Sequence, residues 1–291
     1  MKLSYLYKKV VKFGSACDPR KKSMVKSFED TAILYGLGDT EVNKILVGID
    51  IDAAELLLAD RIRQKEGLDL VISHHPEGKA WANFFEVMRL QVDVLTRLGL
   101  KREIAREMLN ARMQEVERRV ISSNHMRSVD VAKILDMPFM CVHTPADNHV
   151  AAFLKKLMAK EKPKVVQDII DVLMQIPEYQ DAATNLSGPR IILGSPRRPV
   201  GKILFEMTGG TEGPKEVFNK LQKVGVRTLV GMHLSEEHFK KVKDANLNAV
   251  IAGHISSDNL GLNLLLDNIE RQAQEEFTIF QCSGFRRIRR T

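Results

Sequence analysis

Short apolar runs alternate along this chain with amphipathic stretches of helical length, the rhythm of an α/β protein. Leu3, Tyr5, Leu6, Val10 and Val11 predict an opening helix, followed by a turn-rich loop over 14–22. The run 44–50 reads as an apolar strand that ends in Asp50, and Leu56, Leu57, Leu58 and Ile62 put a helix over 53–65. Gly67 closes that helix and Leu70-Val71-Ile72 forms the next strand. A strand–helix–strand unit of this length predicts parallel neighbours, so Asp50 and the residues after Ile72 leave the same sheet edge. From 82 to 137 the spacing becomes helical, with one stripe at Phe85, Met88, Val92 and Leu95 and another at Ile104, Met108, Val116 and Val120. Phe139 to Val142 is a strand that delivers His143 and Asp147 to a loop.

Beyond a charged, proline-containing connection at 160–163, a helix (166–176) and a loop (181–189) precede a second alternation. Strands are expected at 201–207, 227–231 and 248–252, with helices at 215–224 and 235–245 between them. The expectation is an α/β protein of two related lobes, 1–160 and 165–291, the first carrying the helical stretch 82–137.

Composition narrows the class. The chain has 291 residues, 44% of them hydrophobic and one of them Trp, enough for a core that is mostly aliphatic. No apolar stretch reaches the ~18 residues of a membrane span. The first residues lack the apolar segment and small-residue cleavage site of a secretory signal. Cys17, Cys141 and Cys282 are odd in number and far apart, which argues against a disulfide framework or a zinc ribbon and for a reducing compartment, the cytoplasm. The formal charge is +7. Its basic residues are mostly interleaved with acidic ones, and the exceptions, 155–164 and the tail Arg286 to Arg290, lack interleaved aromatics or a nucleic-acid motif. They read as solvated faces and a frayed tail, and not as a nucleic-acid site.

The candidate chemistry sits at strand ends. The run Leu70-Val71-Ile72-Ser73-His74-His75-Pro76 closes an apolar strand on two histidines, and Pro76 breaks the strand so that both rings can converge. His143 with Asp147, and His254 with Asp258, follow two further strands. Open α/β sheets bind ligands beyond the carboxyl ends of their strands. Imidazoles with carboxylates suit zinc, iron, manganese or nickel. Three histidines and two carboxylates exceed one open tetrahedral ion and suit two ions about 3.5–4 Å apart that share a carboxylate.

Other residues stay open at this stage. His143 either supports Asp147 or is a polar strand end, and Asp50 either orients a ligand histidine or starts the next helix. His233 and His238 flank a helix start at Ser235 and read as surface residues, with a proton-shuttling role as the alternative. The turn Thr208-Gly209-Gly210-Thr211-Glu212-Gly213-Pro214 lacks a P-loop ending; it or Lys79 could hold an anionic group if it opened onto the metal cleft.

The segments 44–76, His143-Thr144-Pro145-Ala146-Asp147 and Ala252 to Asp258 occur in an order that resembles the Ngg-interacting-factor-three-like family, also labelled a type 2 homologue of GTP cyclohydrolase I. The match is tight over 44–76, good around Asp147 and His254, and weak over 82–137. The resemblance implies two α/β lobes with a dinuclear metal site in the cleft between them, ligands His74, His75, Asp147, His254 and Asp258, and a toroidal homo-oligomer. The chain departs from the family in Pro145-Ala146, in Glu77-Gly78-Lys79 where apolar and aromatic residues are usual, and in Asp258, where the family usually has Glu. A more polar pocket wall and an altered metal site are the corresponding expectations. Two functions follow: metal-dependent hydrolysis of a small phosphorylated or nucleotide-like substrate, or non-catalytic work as a metal (iron) carrier, chaperone or regulatory partner.

Overall fold

The computed structural model describes residues 1–20 and 25–290. The chain opens with α1 (Leu3–Cys17) and β1 (Ala32–Tyr35), then β2 (Lys44–Gly48), α2 (Ala53–Glu66) and β3 (Leu70–Ser73). The start of α2 is fixed by a capping box in which Asp52 and Glu55 satisfy each other's backbone amides. Next come α3 (Gly78–Ala82), a 3-10 segment (Phe84–Leu90), α4 (Gln91–Arg97), α5 (Arg102–Val120) and α6 (Arg127–Ile134). They lead through β4 (Phe139–Cys141) to α7 (Thr144–Glu161), α8 (Val166–Leu173) and α9 (Pro177–Thr184). The remainder is β5 (Arg190–Leu193), β6 (Lys202–Glu206), a short 3-10 turn (Lys215–Val217), α10 (Phe218–Lys223), β7 (Val226–Gly231), α11 (Glu236–Asp244), β8 (Asn248–Ile251), α12 (His254–Ala273) and β9 (Thr278–Cys282).

Two sheets organise these elements. The first runs β1-β4-β3-β2-β9 and the second β5-β8-β7-β6. Each has one antiparallel edge strand, β1 on β4 and β5 on β8, beside parallel neighbours. The pairing of β2 with β3 (Val47 opposite Ile72) is the expected parallel unit. It brings Asp50 and His74-His75 to one edge.

Several elements differ from the sequence expectation. The strands β1, β5 and β9 lie in segments too short or too polar to stand out by period, and pairing with a buried neighbour selects them. The loop expected over 14–22 begins only after Cys17, and Lys21 and Lys22 lie outside the described residues. Asp147 is expected on a loop but lies near the start of the long helix α7, with Pro145 in its first turn, and Asp258 lies on α12, which begins at His254. On α5 the buried stripe is Ala105, Leu109, Met113, Val116 and Val120, offset by one residue from Ile104 and Met108 at its start.

The chain also crosses the division at 160–165 twice. Met88, Val92, Leu95 and Leu109 pack with Leu204, Phe218, Leu221 and Leu229 on the second sheet, while β9 returns to pair with β2 in the first. The tail after β9 is not frayed. Arg287, 3% exposed, reaches Asp267 at 2.6 Å and Glu270 at 2.7 Å, and Arg290 reaches buried Glu178 at 2.5 Å. Opposite charge on α12 and α9 binds a basic segment that composition alone leaves in solvent.

Helices α7 and α12 cross where Gly261 meets the α7 backbone. A Cβ on Gly261 would lie 2.6 Å from the carbonyl oxygen of Ala146, the residue before Asp147. Because backbone cannot yield as a side chain can, Gly261→Ala is expected to cost about 1–3 kcal/mol of stability. Urea unfolding checks this; a midpoint equal to wild type would show that the crossing has slack.

Candidate metal centre

Three strand ends of the first sheet and the start of α12 converge on one cluster. His74 follows β3, and its Nδ1 donates to the Val142 carbonyl at 2.9 Å, which leaves Nε2 facing inward. His75 Nδ1 donates to Asp50 Oδ1 at 2.6 Å, so Asp50 orients a cluster histidine. His143 Nδ1 donates to Asp30 Oδ2 at 2.8 Å, and Thr144 Oγ donates to the same oxygen at 2.7 Å. Asp30 is fully buried and was not found from sequence; nothing about Glu29-Asp30-Thr31 marks it, because its partners lie on a distant strand end.

The inward atoms are spaced like ligands of an ion. His74 Nε2 lies 3.4 Å from Asp147 Oδ1 and 3.4 Å from Asp258 Oδ1. On the other side of Asp258, Oδ2 lies 3.5 Å from His75 Nε2 and 3.7 Å from His254 Nε2. Donors about 2.0–2.2 Å from a shared zinc-like ion stand roughly 3–3.6 Å apart. His74 Nε2, Asp147 Oδ1 and both Asp258 oxygens are buried without a hydrogen bond among the described residues. Orphaned buried polar atoms are costly. Four of them aimed at one another fit a cation. The trios His74-Asp147-Asp258, His75-His254-Asp258 and His74-His75-His143 each could hold a metal ion.

The two sides differ in access. His74 and Asp258 are sealed from solvent, whereas the His254 side chain is 40% exposed. Burial opposes charge on His74, but Asp258 and Asp147 outweigh it and carry the imidazole up to about 10. His75 is likewise opposed by burial and raised to about 9 by Asp258 and Asp50. Burial pushes Asp258 upward, yet the surrounding imidazoles hold it well below the usual carboxylate range. Burial lowers His254.

A cleft of about 510 Å³ opens onto the cluster, lined by His75, His143, His233 and His254 and walled by Trp81 and Phe84. Glu77 makes the wall polar as expected, and burial together with Asp52 pushes its carboxyl up to about 7. Trp81 and Phe84 nevertheless supply aromatic surface to the same cleft from further along the chain. Lys79 is exposed and is not among the lining residues. Gly210 and Thr211 do line the cleft, so the glycine-rich turn opens onto the cluster. Gln91 holds that turn by donating to the carbonyls of Gly209 (2.8 Å) and Thr211 (2.7 Å).

The remaining histidines separate by environment. His233 is exposed, as a surface reading expects, and it also borders the cleft, its ring edge-on to that of His254 with centroids 4.9 Å apart. His238 is buried, 2% exposed, with Nε2 donating to the Gly213 carbonyl at 2.9 Å. His149 is buried and donates to the Pro145 carbonyl, and His125 is half-buried where it lines the cleft.

By fold and site this is an α/β protein of two mainly parallel sheets with a buried histidine–carboxylate cluster of metal-binding chemistry. No family model and no curated protein matches the sequence. Among solved structures, a NIF3 superfamily protein from Sphaerobacter thermophilus is 28% identical over 95% of this chain and 97% of its own, with a TM-score of 0.78. Reduced HcgD from Methanocaldococcus jannaschii (13% identity, 97% of each chain, TM-score 0.59) shares the fold. So does the protein ybgI, of unknown function (15% identity, 97% of this chain and 98% of that one, TM-score 0.56). The likeness to the Sphaerobacter protein over nearly the whole of both chains supports the resemblance to the NIF3-like family.

The raised imidazoles set the pH response of the metal-free chain. Their folded pKa values lie above the ordinary 6.5, so their stabilisation is full below about pH 6.5 and is lost as pH rises through about 9 to 10. A divalent ion replaces these protons and reverses the trend. Melting temperature with chelator should therefore fall over that window, and with added zinc or manganese it should not. A level chelator curve would mean that the imidazoles carry no proton.

Proposed function

We propose that this chain is a dinuclear metal-binding protein that hydrolyses a small phosphorylated or nucleotide-like substrate. The observation that carries the reading is Asp258, whose two oxygens face two different sets of donors. His74, Asp147 and Asp258 Oδ1 would hold the enclosed ion, and His75, His254 and Asp258 Oδ2 the open one. When bound, two divalent ions supply electrophilic polarisation of the substrate and bring the pKa of water towards ~7.

The chain's own part is positional. Val142 and Asp50 hold the rings of His74 and His75 by their Nδ1 hydrogens, so Nε2 stays available. Asp30 fixes His143 at the cleft's inner wall. The Gly210–Thr211 turn offers backbone polar groups near the cluster, and Trp81 with Phe84 offers a face for a planar group. The three free thiols support a reducing, cytoplasmic setting, and the family likeness supports a ring-shaped homo-oligomer.

A second reading, a carrier that delivers its metal to an acceptor, is favoured by the 40% exposure of His254, since an ion on that side can exchange. Elemental mass spectrometry on protein purified without affinity-tag metal tests the site. About two ions per chain are expected, lost in both His74→Ala and Asp258→Ala. Asp50→Ala should weaken the open ion about 10–100-fold and spare the enclosed one. Turnover of phosphoesters or nucleotides should fall by about a hundredfold or more in Asp258→Ala. Metal that leaves for an apo-acceptor without any turnover supports the carrier instead, and metal content unchanged in both alanine variants overturns both readings.

A further inference from the structure

Between α4, α7 and the edge strand β6 of the second sheet lies a hollow of about 380 Å³. Its walls are apolar: Val94 from α4 and Leu98 just after it, Ala151 and Ala152 from α7, and Ile203 and Phe205 from β6, each half-buried. Packed interiors hold few voids larger than a water molecule, and sites for small molecules start at about 300 Å³. The hollow therefore has the size and lining of a ligand pocket.

Its charges have one sign. Arg97, Lys155 and Lys202 line it, all three exposed at the mouth, and no carboxylate is among the described lining residues. Arg97 donates to the Pro19 carbonyl, and Lys202 Nζ donates to the Leu98 carbonyl at 2.8 Å. Those bonds pin the two cations without neutralising them. Three cations at the mouth of apolar walls give the hollow the charge complement of an anion with an apolar body. We propose that this hollow binds a small amphipathic anion, an aliphatic or aryl carboxylate whose apolar body fills the pocket and whose head group meets Lys155, Lys202 and Arg97.

The wall shared with the metal cluster gives the site its interest. Thr208 lines both this hollow and the cavity beside Asp147, and its hydroxyl donates to Asn148 Oδ1 at 2.7 Å. Asn148 adjoins Asp147 on α7. The proposal does not depend on the metal reading, because none of the pocket's cations belongs to the cluster.

Decanoate and its uncharged counterpart decanol are the probes, titrated against the full chain by calorimetry and by displacement of 8-anilinonaphthalene-1-sulfonate. Decanoate should bind once per chain and more tightly than decanol. Lys155→Glu, a change at an exposed side chain, should weaken decanoate about tenfold or more while leaving decanol unchanged. Ala152→Trp, which fills the hollow, should abolish both without altering metal content. Equal affinity for decanoate and decanol overturns the proposal, as does decanoate binding that both variants retain. Self-association that hides the hollow, seen as sedimentation that changes with chain concentration and with Ala152→Trp, would also overturn it and assign the face to a second copy.

Discussion

Everything at the metal cluster depends on two helices crossing at backbone contact. Asp147 and Asp258 lie far apart in sequence, one on α7 after the first sheet and one on α12 after the second. They meet because Gly261 has no side chain to hold α12 away from Ala146. On the opposite flank, a Cβ on Gly14 would lie 2.6 Å from Pro145, so α1 presses on the start of α7 as well. The start of α7 is thus fixed on two sides. A carboxylate whose helix is pinned at its first turn cannot swing away from a neighbouring carboxylate, and the repulsion must be met by cations instead.

Those cations are the strand-end imidazoles. Asp147 sits in the first turn of α7, where the helix N-terminus favours negative charge, and both carboxylates face the Nε2 of His74, which is turned inward by a bond on Nδ1. Holding imidazoles by Nδ1 leaves one atom of each ring, Nε2, to take a proton, and the same atom would take a metal ion. This arrangement contrasts with the C-terminal tail, where Arg287 and Arg290 satisfy Asp267, Glu270 and Glu178 with fixed guanidinium charge. Buried acid on the outer side of α12 is neutralised permanently by the chain, and buried acid on its inner side is left to exchangeable partners. One helix therefore carries a structural ion network and a chemical one on different faces.

Much of this was legible in the sequence. The unit 44–76 specified its own parallel pairing, and the run ending His74-His75-Pro76 announced a strand end with converging rings, because apolar period and proline punctuation act locally. What the sequence hid was non-local. Asp30 acquires its role only when β1 pairs with β4 and brings it beside His143. Trp81 and Phe84 become cleft wall only when the helical stretch packs on the second sheet, a contact that no spacing within 82–137 encodes. The arginine tail looked solvated because its acidic partners stand on α9 and α12, and composition counts charges without pairing them. The start of α7 reads as a loop for a related reason: His143-Thr144-Pro145 interrupts the apolar period with polar atoms and a proline.

The shortened acid at position 258 can be understood in the same terms. An aspartate reaches one methylene less than a glutamate, so its oxygens meet the imidazoles only if α12 lies close to the strand ends. Gly261 lies one turn further along α12, and its contact with Ala146 sets how near α12 comes to α7 and the strand ends. With the helix this close, both oxygens of Asp258 stand 3.4–3.7 Å from the imidazole nitrogens they face. Helix position and side-chain length are interchangeable ways of placing a carboxylate, within the limit of backbone contact. A glutamate at this position without a shift of the helix would carry its oxygens beyond where Asp258 now places them, so the closeness of α12 at Gly261 and the short side chain at 258 match each other.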